Sequence, residues 1–206
     1  REDKENKIYY QANWDFINFF STFYYTMYEE IPVLYKIHNF FRSIHLTASE
    51  FFKEMIIKID SQCPGLAPRL IHPQKPLPLV LKVLKYNPAP TGFTTHPHFD
   101  KGAFTMVLNN DDKVKDKLII GSYPEDGIVR VSKMRAPLLK KVAHNMKTSA
   151  VIMPDTTLID LGYKLYASPH AVLPNPKERF AMIAFLLIHS LGEVAKPLVK
   201  YENDVF

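Results

Sequence analysis

From Leu79 onward the chain is a succession of short β-rich runs separated by turn residues, and this pattern limits its fold more than any other feature. The runs extend from Leu79 to Tyr86, Phe93 to Phe99, Phe104 to Leu108, Leu118 to Ser122, Ile128 to Val131, Ser149 to Met153, Thr157 to Asp160, Tyr166 to Val172 and Phe180 to Ile188. Asn109-Asn110-Asp111-Asp112, Pro124-Glu125-Asp126-Gly127 and Pro154-Asp155 punctuate them with residues that favour turns. Apart from Ala136 to Met146, no helical stretch intervenes, so the series predicts an antiparallel barrel or jelly roll.

The first third follows another period. Between Trp14 and Ile59, apolar residues recur at helical spacing: Phe16, Phe19, Phe20, Phe23 and Tyr24, then Leu34, Ile37, Phe40 and Phe41. At least two amphipathic helices are predicted. A further one should start at Thr47, with Thr47 as N-cap and Glu50 as its capping-box partner, ahead of Phe51, Phe52 and Met55. Prolines 64, 68, 73, 76 and 78 then form a connector that cannot carry a helix onward, because each removes a backbone donor and restricts its predecessor. The fold class is therefore mainly β with N-terminal helices. Its expected units are a helical region at 1–75 packed on the barrel, a core at 76–192 and a tail at 193–206.

At 206 residues, with 47 % apolar content, the chain can bury a core without crosslinks. Cys63 is the single cysteine, so an intramolecular disulfide and a Cys-rich zinc site are excluded. No apolar run reaches the roughly 18 residues that span a bilayer, and the charged start Arg1-Glu2-Asp3-Lys4-Glu5 lacks a signal-like apolar stretch. The expectation is a soluble, cytoplasmic protein. The formal charge of +5 is scattered over the chain without a reading motif, so no nucleic acid partner is expected.

His98-Phe99-Asp100 puts two ligand types two residues apart, and on an extended strand such residues project to one side. His170, in a later β-rich run after Ser168-Pro169, can complete a set of two imidazoles and one carboxylate. That set leaves three adjacent positions of an octahedral ion open, as in non-heme Fe(II) oxygenases. A lone His-x-Asp is more often structural than metal-binding, so the surrounding sequence decides. Arg179 opens the apolar run through Ile188. A charge in such a strand needs a partner, and its planar fork suits a carboxylate ligand; a surface arginine pairing with Glu178 or another acid is the plainer alternative.

Together these segments resemble the catalytic core of the 2-oxoglutarate and Fe(II)-dependent dioxygenases, in particular the isopenicillin N synthase-like branch. His98 through Leu108, with Gly102 and Thr105, is similar to the family's His-x-Asp, glycine, threonine and apolar strand. Met153-Pro154-Asp155 and the stretch from Leu161 to Val172 resemble the family's turn and the segment leading to the distal histidine, and Arg179-x-Ala181 follows at the usual interval. Lys85-Tyr86-Asn87-Pro88 looks like the Tyr-Tyr-Pro segment ahead of the metal motif. The resemblance covers a little over half the chain.

It implies a double-stranded β-helix core that holds Fe(II) through His98, Asp100 and His170. Arg179 would fix the C5 carboxylate of 2-oxoglutarate, and Tyr86 would hydrogen-bond the same co-substrate or, alternatively, simply face the core. Dioxygen would be consumed, with ascorbate as an accessory reductant, and succinate and CO2 released as a small-molecule substrate is hydroxylated. Two departures stand out. Ala181 replaces the serine whose hydroxyl helps bind the far carboxylate, a loss worth about 1.5–3 kcal/mol for a bond to a charged group, and Ala171 stands where the branch often has arginine. The competing readings are an iron oxidase of the same branch that takes no 2-oxoglutarate and a non-catalytic barrel module.

Overall fold

The computed structural model describes residues 7–15, 17–18, 31–89, 91–110, 118–121, 128–130, 139–141, 150–188 and 200–202. Within them lie eleven strands and three helices of known extent: β1 (Lys7–Asn13), α1 (Pro32–Ile59), α2 (Leu66–Leu70), β2 (Leu79–Tyr86), β3 (Thr95–His98), β4 (Phe104–Asn110), β5 (Leu118–Gly121), β6 (Ile128–Arg130), β7 (Leu139–Lys141), β8 (Val151–Pro154), α3 (Thr156–Asp160), β9 (His170–Val172), β10 (Arg179–Leu186) and β11 (Lys200–Glu202). No helix among the described residues is long and apolar enough to cross a membrane.

A larger antiparallel sheet runs β1-β2-β10-β4-β8 and a smaller one β3-β9-β5-β7, while β11 and β6 pair in parallel. The molecule is thus mainly β, with helices. A buried cluster joins the two sheets: Leu84, Tyr86, Val107, Met153 and Ala181 from the larger meet Leu118 and Val172 from the smaller. Helix α1 covers the other face of the larger sheet, where Phe52, Ile56, Leu79, Leu81, Met106, Ala184 and Leu186 form one core. Strands β2, β4 and β10 are therefore covered on both faces, which explains why β10 reads as an almost unbroken apolar run rather than as an alternation.

Residues 14–15 and 17–18 are helical as well as α1, but α1 corrects the expectation of a further helix starting at Thr47. One stripe, His38, Phe41, His45, Ala48, Ser49, Phe52 and Ile56, runs along the whole element with helical period. Thr47 lies inside it on the exposed side. The local preference of threonine for a cap is worth about 1 kcal/mol, and a continuous buried stripe outweighs it. The actual start uses Pro32, whose absent N–H is one that helix geometry leaves unbonded anyway.

Further expectations change. The connector's Pro68 lies within the first turn of α2, where proline is tolerated, and the Ala67 N–H donates to Asp60 Oδ1 at 2.7 Å. Thr157 to Asp160, read as a strand, belongs to α3, and from Tyr166 to Val172 only the last three residues are strand. The helical reading of Ala136 to Met146 meets a strand at Leu139–Lys141, and the rest of it lies outside the described residues. Strand β1, which is not among the predicted runs, pairs with β2 over its full length.

Candidate metal centre

The two histidines meet because β3 and β9 are neighbours: His98 and His170 are cross-strand partners in an antiparallel pair. Their rings stand 4.3 Å apart between centroids. Asp100 lies just beyond the end of β3 rather than on it, as the sequence reading had assumed, yet its carboxylate turns back between the imidazoles. Asp100 Oδ1 is 3.6 Å from His98 Nε2 and Oδ2 is 3.4 Å from His170 Nε2. One ligand atom from each residue falls within 4.8 Å of the others, a set that could hold one metal ion.

The ring orientations are fixed from behind. His98 Nδ1 donates to the His96 carbonyl at 2.7 Å, and His170 Nδ1 donates to the Ser168 carbonyl at 3.0 Å. A carbonyl oxygen only accepts, so each Nδ1 carries a proton and each Nε2 is directed at the shared point beside Asp100. This outer support of a ligating imidazole is typical of metal sites. Two imidazole Nε2 atoms and a carboxylate, already aimed at one point, are the donor chemistry that suits a divalent transition metal.

The electrostatics agree. Burial pushes Asp100 up, but hydrogen bonding from His98 and the charges of both histidines outweigh it and hold the carboxyl down at about 2. Burial alone would lower His98, yet the hydrogen bond and charge of Asp100 raise it. His170, the more deeply buried, is lowered by desolvation despite Asp100. The arrangement favours a cation between these groups.

The loop bearing Asp100 is anchored by the start of α3. Thr156 N and Oγ1 both donate to the Asp100 carbonyl, at 3.1 and 3.2 Å, and the Asp155 N–H donates to the Ala103 carbonyl at 3.0 Å. Asp155 is only 2 % exposed, and its Oδ2 accepts from Thr105 Oγ1 at 3.0 Å. A Cβ at Gly102 would stand 2.7 Å from the Leu186 carbonyl oxygen and 2.8 Å from Asp155 Oδ2, so only glycine fits there. Gly102 and Thr105 stand out in the sequence, whereas Asp155 reads as a turn residue; the signal for its role is an acid three residues before the apolar Leu158-Ile159 pair.

The candidate metal set opens into a cavity between the two sheets, lined by Tyr86, His98, Asp100, His170, Arg179 and Ala181, the residues to which the resemblance gave a part in metal or co-substrate binding. Arg179 is 4 % exposed, and its guanidinium lies 4.2 Å over the ring of Tyr86, its cross-strand partner on β2. The Glu178 alternative does not hold: Glu178 pairs with Lys85 at 2.8 Å. Ala181 lies two residues along β10 on the same face, without a hydroxyl. Three polar lining residues do not stand out in the sequence: Lys7, in register with Tyr86 on β1, Lys82 and Thr95.

Neither a protein-family model nor a curated protein matches this sequence. Solved structures do. A protein of the 2OG-Fe(II) oxygenase family from Caulobacter crescentus superposes with a TM-score of 0.61 at 17 % identity, over 92 % of this chain and 60 % of its own. JOX2, solved in complex with 2OG, Fe and JA, gives 0.57 at 17 % identity over 90 % of this chain and 51 % of its own. The dioxygenase for auxin oxidation 1 from Arabidopsis thaliana, solved with 2-oxoglutarate, gives 0.56 at 15 % identity over 92 % and 66 %. The chain thus shares the fold of these oxygenases and spans about half to two thirds of their length.

Proposed function

We propose that this chain is the core of an Fe(II)- and 2-oxoglutarate-dependent oxygenase acting on a small organic molecule. The observation that carries the reading is the convergence of His98 Nε2, Asp100 and His170 Nε2 on one point, in a cavity whose wall also bears the buried Arg179. Residues 76–192 would form the catalytic core, a double-stranded β-helix, with β1 added at its edge and the helical region at 1–75 packed outside.

In this reading His98, Asp100 and His170 hold the metal. The His96 and Ser168 carbonyls keep the two imidazoles in the tautomer that leaves Nε2 available. Fe(II) and the keto acid, when bound, supply the dioxygen chemistry that yields succinate, CO2 and an oxidised substrate. Arg179 offers a bidentate cation to the far carboxylate of the keto acid, with the Tyr86 ring fixing the plane of the guanidinium. The apolar wall of Leu84, Val107, Leu118 and Val172 keeps water from the reacting centre. The neighbours support a small-molecule substrate, since JOX2 was solved with JA as well as with 2OG and Fe.

Ala181 favours a second reading, an iron oxidase of the same fold that takes no 2-oxoglutarate. Incubating aerobic, Fe(II)-loaded protein with 2-oxoglutarate separates the two. Succinate formation above the iron-free control is expected, and oxygen uptake with no succinate would leave the oxidase.

A further inference from the structure

The hydroxyl absent at Ala181 has a counterpart on the opposite wall. Thr94 and Thr95 are both buried, but their side chains differ in what they bond. Thr94 Oγ1 donates to the Leu173 carbonyl at 3.1 Å, as a buried hydroxyl ordinarily does. Thr95 is 6 % exposed and lines the cavity, and its Oγ1 has no hydrogen-bond partner among the described residues. Burying a hydroxyl without a partner is costly and uncommon in native proteins, so a group held only for part of the working cycle is the natural explanation.

The backbone shows how Thr95 comes to face inward. Residues three apart on a regular strand point to opposite sides. The pairing of β3 with β9 shifts register between Thr95 and His98, and this irregularity lets both side chains line the same cavity. The irregularity absorbs one residue, so Thr95 stands opposite Val172, two residues along β9 from His170 and about 7 Å along the strand from the metal end. The cavity therefore presents Arg179 and Tyr86 from the larger sheet and a hydroxyl from the smaller one.

We propose that Thr95 Oγ1 donates a hydrogen bond to the far carboxylate of the 2-oxoglutarate held by Arg179, in place of the hydroxyl missing at Ala181. This rests on the oxygenase reading above. It makes Thr95 a co-substrate-binding residue, and it predicts that selectivity for a dicarboxylic keto acid is shared between the two sheets.

The test compares Thr95→Val, which keeps the shape and removes the hydroxyl, with Thr95→Ser, which keeps the hydroxyl. Anaerobic Fe(II)-loaded proteins are titrated with 2-oxoglutarate and with 2-oxopentanoate, which has the same carbon chain and metal-binding end but no far carboxylate. Thr95→Val should weaken 2-oxoglutarate about tenfold, as expected for one lost bond to a charged group, and leave 2-oxopentanoate unchanged. Thr95→Ser should resemble the parent protein, and adding Ala181→Ser to Thr95→Val should recover part of the loss. Without ligand, Thr95→Val should melt at or above the parent temperature, because it removes a buried polar atom that bonds nothing. Equal weakening of both keto acids, no weakening of either, or a lowered melting temperature with unchanged affinity would overturn the proposal and assign Thr95 to the fold. If the parent protein binds iron but neither variant nor parent binds 2-oxoglutarate, the oxygenase reading fails first and takes this inference with it.

Discussion

Strands β2, β4 and β10 have two faces that obey different rules. Toward α1 they present Leu79, Leu81, Met106, Ala184 and Leu186, packed with Phe52 and Ile56 in a core without charge. Toward the smaller sheet they present Tyr86, Thr105 and Arg179, which share a cavity with His98, Asp100 and His170. One face lowers the free energy of the folded chain by removing apolar surface from water. The cavity against the other face encloses the Arg179 guanidinium, the Asp100 carboxylate and the Thr95 hydroxyl, which bonds nothing among the described residues; such groups destabilise an empty fold. Polar burial of that kind is the signature of a working site, and its cost is offset by the packing one side-chain layer away.

Substitutions on the two faces should therefore separate stability from binding. The largest effect is expected at the metal set: His98→Ala or Asp100→Ala should abolish stoichiometric Fe(II), measured by metal analysis after dialysis, while leaving the circular dichroism spectrum intact. Iron retained in both variants would remove the site from this cavity. Across the sheet, Phe52→Ala should behave in reverse, lowering unfolding free energy by about 3–5 kcal/mol in denaturant titrations while the folded fraction still binds iron.

Arg179→Ala should weaken 2-oxoglutarate by well over about tenfold, since it deletes a paired charge, with iron occupancy little changed in the same calorimetric cell. Equal loss of both ligands would mean that Arg179 serves the fold.

The smallest effect concerns Asp155. Burial above all, and then the charge of Asp100, push its carboxyl up to about 8 from the ordinary 3.8, against the pull of hydrogen bonds from Thr105 and Gly102. The folded state binds this proton more tightly than the unfolded chain does. Its contribution to stability is therefore complete below the unfolded value and is lost as pH rises through the folded one. Metal-free protein should lose stability between about pH 4 and 8 more steeply than Asp155→Asn, whose side chain stays neutral; parallel melting curves across that range would remove Asp155 from the account.

The same two faces explain what could be read from the sequence. The β-rich runs after Leu79 were legible because strand period is a local property of the chain, whereas the His98, Asp100, His170 and Arg179 constellation was legible only through the family resemblance that the surrounding segments carry. The pairing of His98 with His170 was not, since cross-strand register depends on partners far apart in sequence. Strand β1 carries the strand formers Ile8, Tyr9 and Tyr10 but stands apart from the β-rich series after Leu79, and its place in the sheet depends on a partner, β2, about seventy residues away. Thr157 to Asp160 is β-branched and apolar enough to suggest a strand, but its first-turn groups are used to hold the Asp100 loop, which selects a helix. Thr95 faces the cavity only through an irregularity in β3, and no alternation rule predicts that.

The central claim, that the polar face binds Fe(II) and then a dicarboxylic keto acid, is tested most directly by calorimetry of the anaerobic protein, titrated first with Fe(II) and then with 2-oxoglutarate. One equivalent of iron followed by one of 2-oxoglutarate, the second event absent without metal and absent in His98→Ala, is the predicted result. Iron binding with no second event, or 2-oxoglutarate binding that is indifferent to iron, would contradict it.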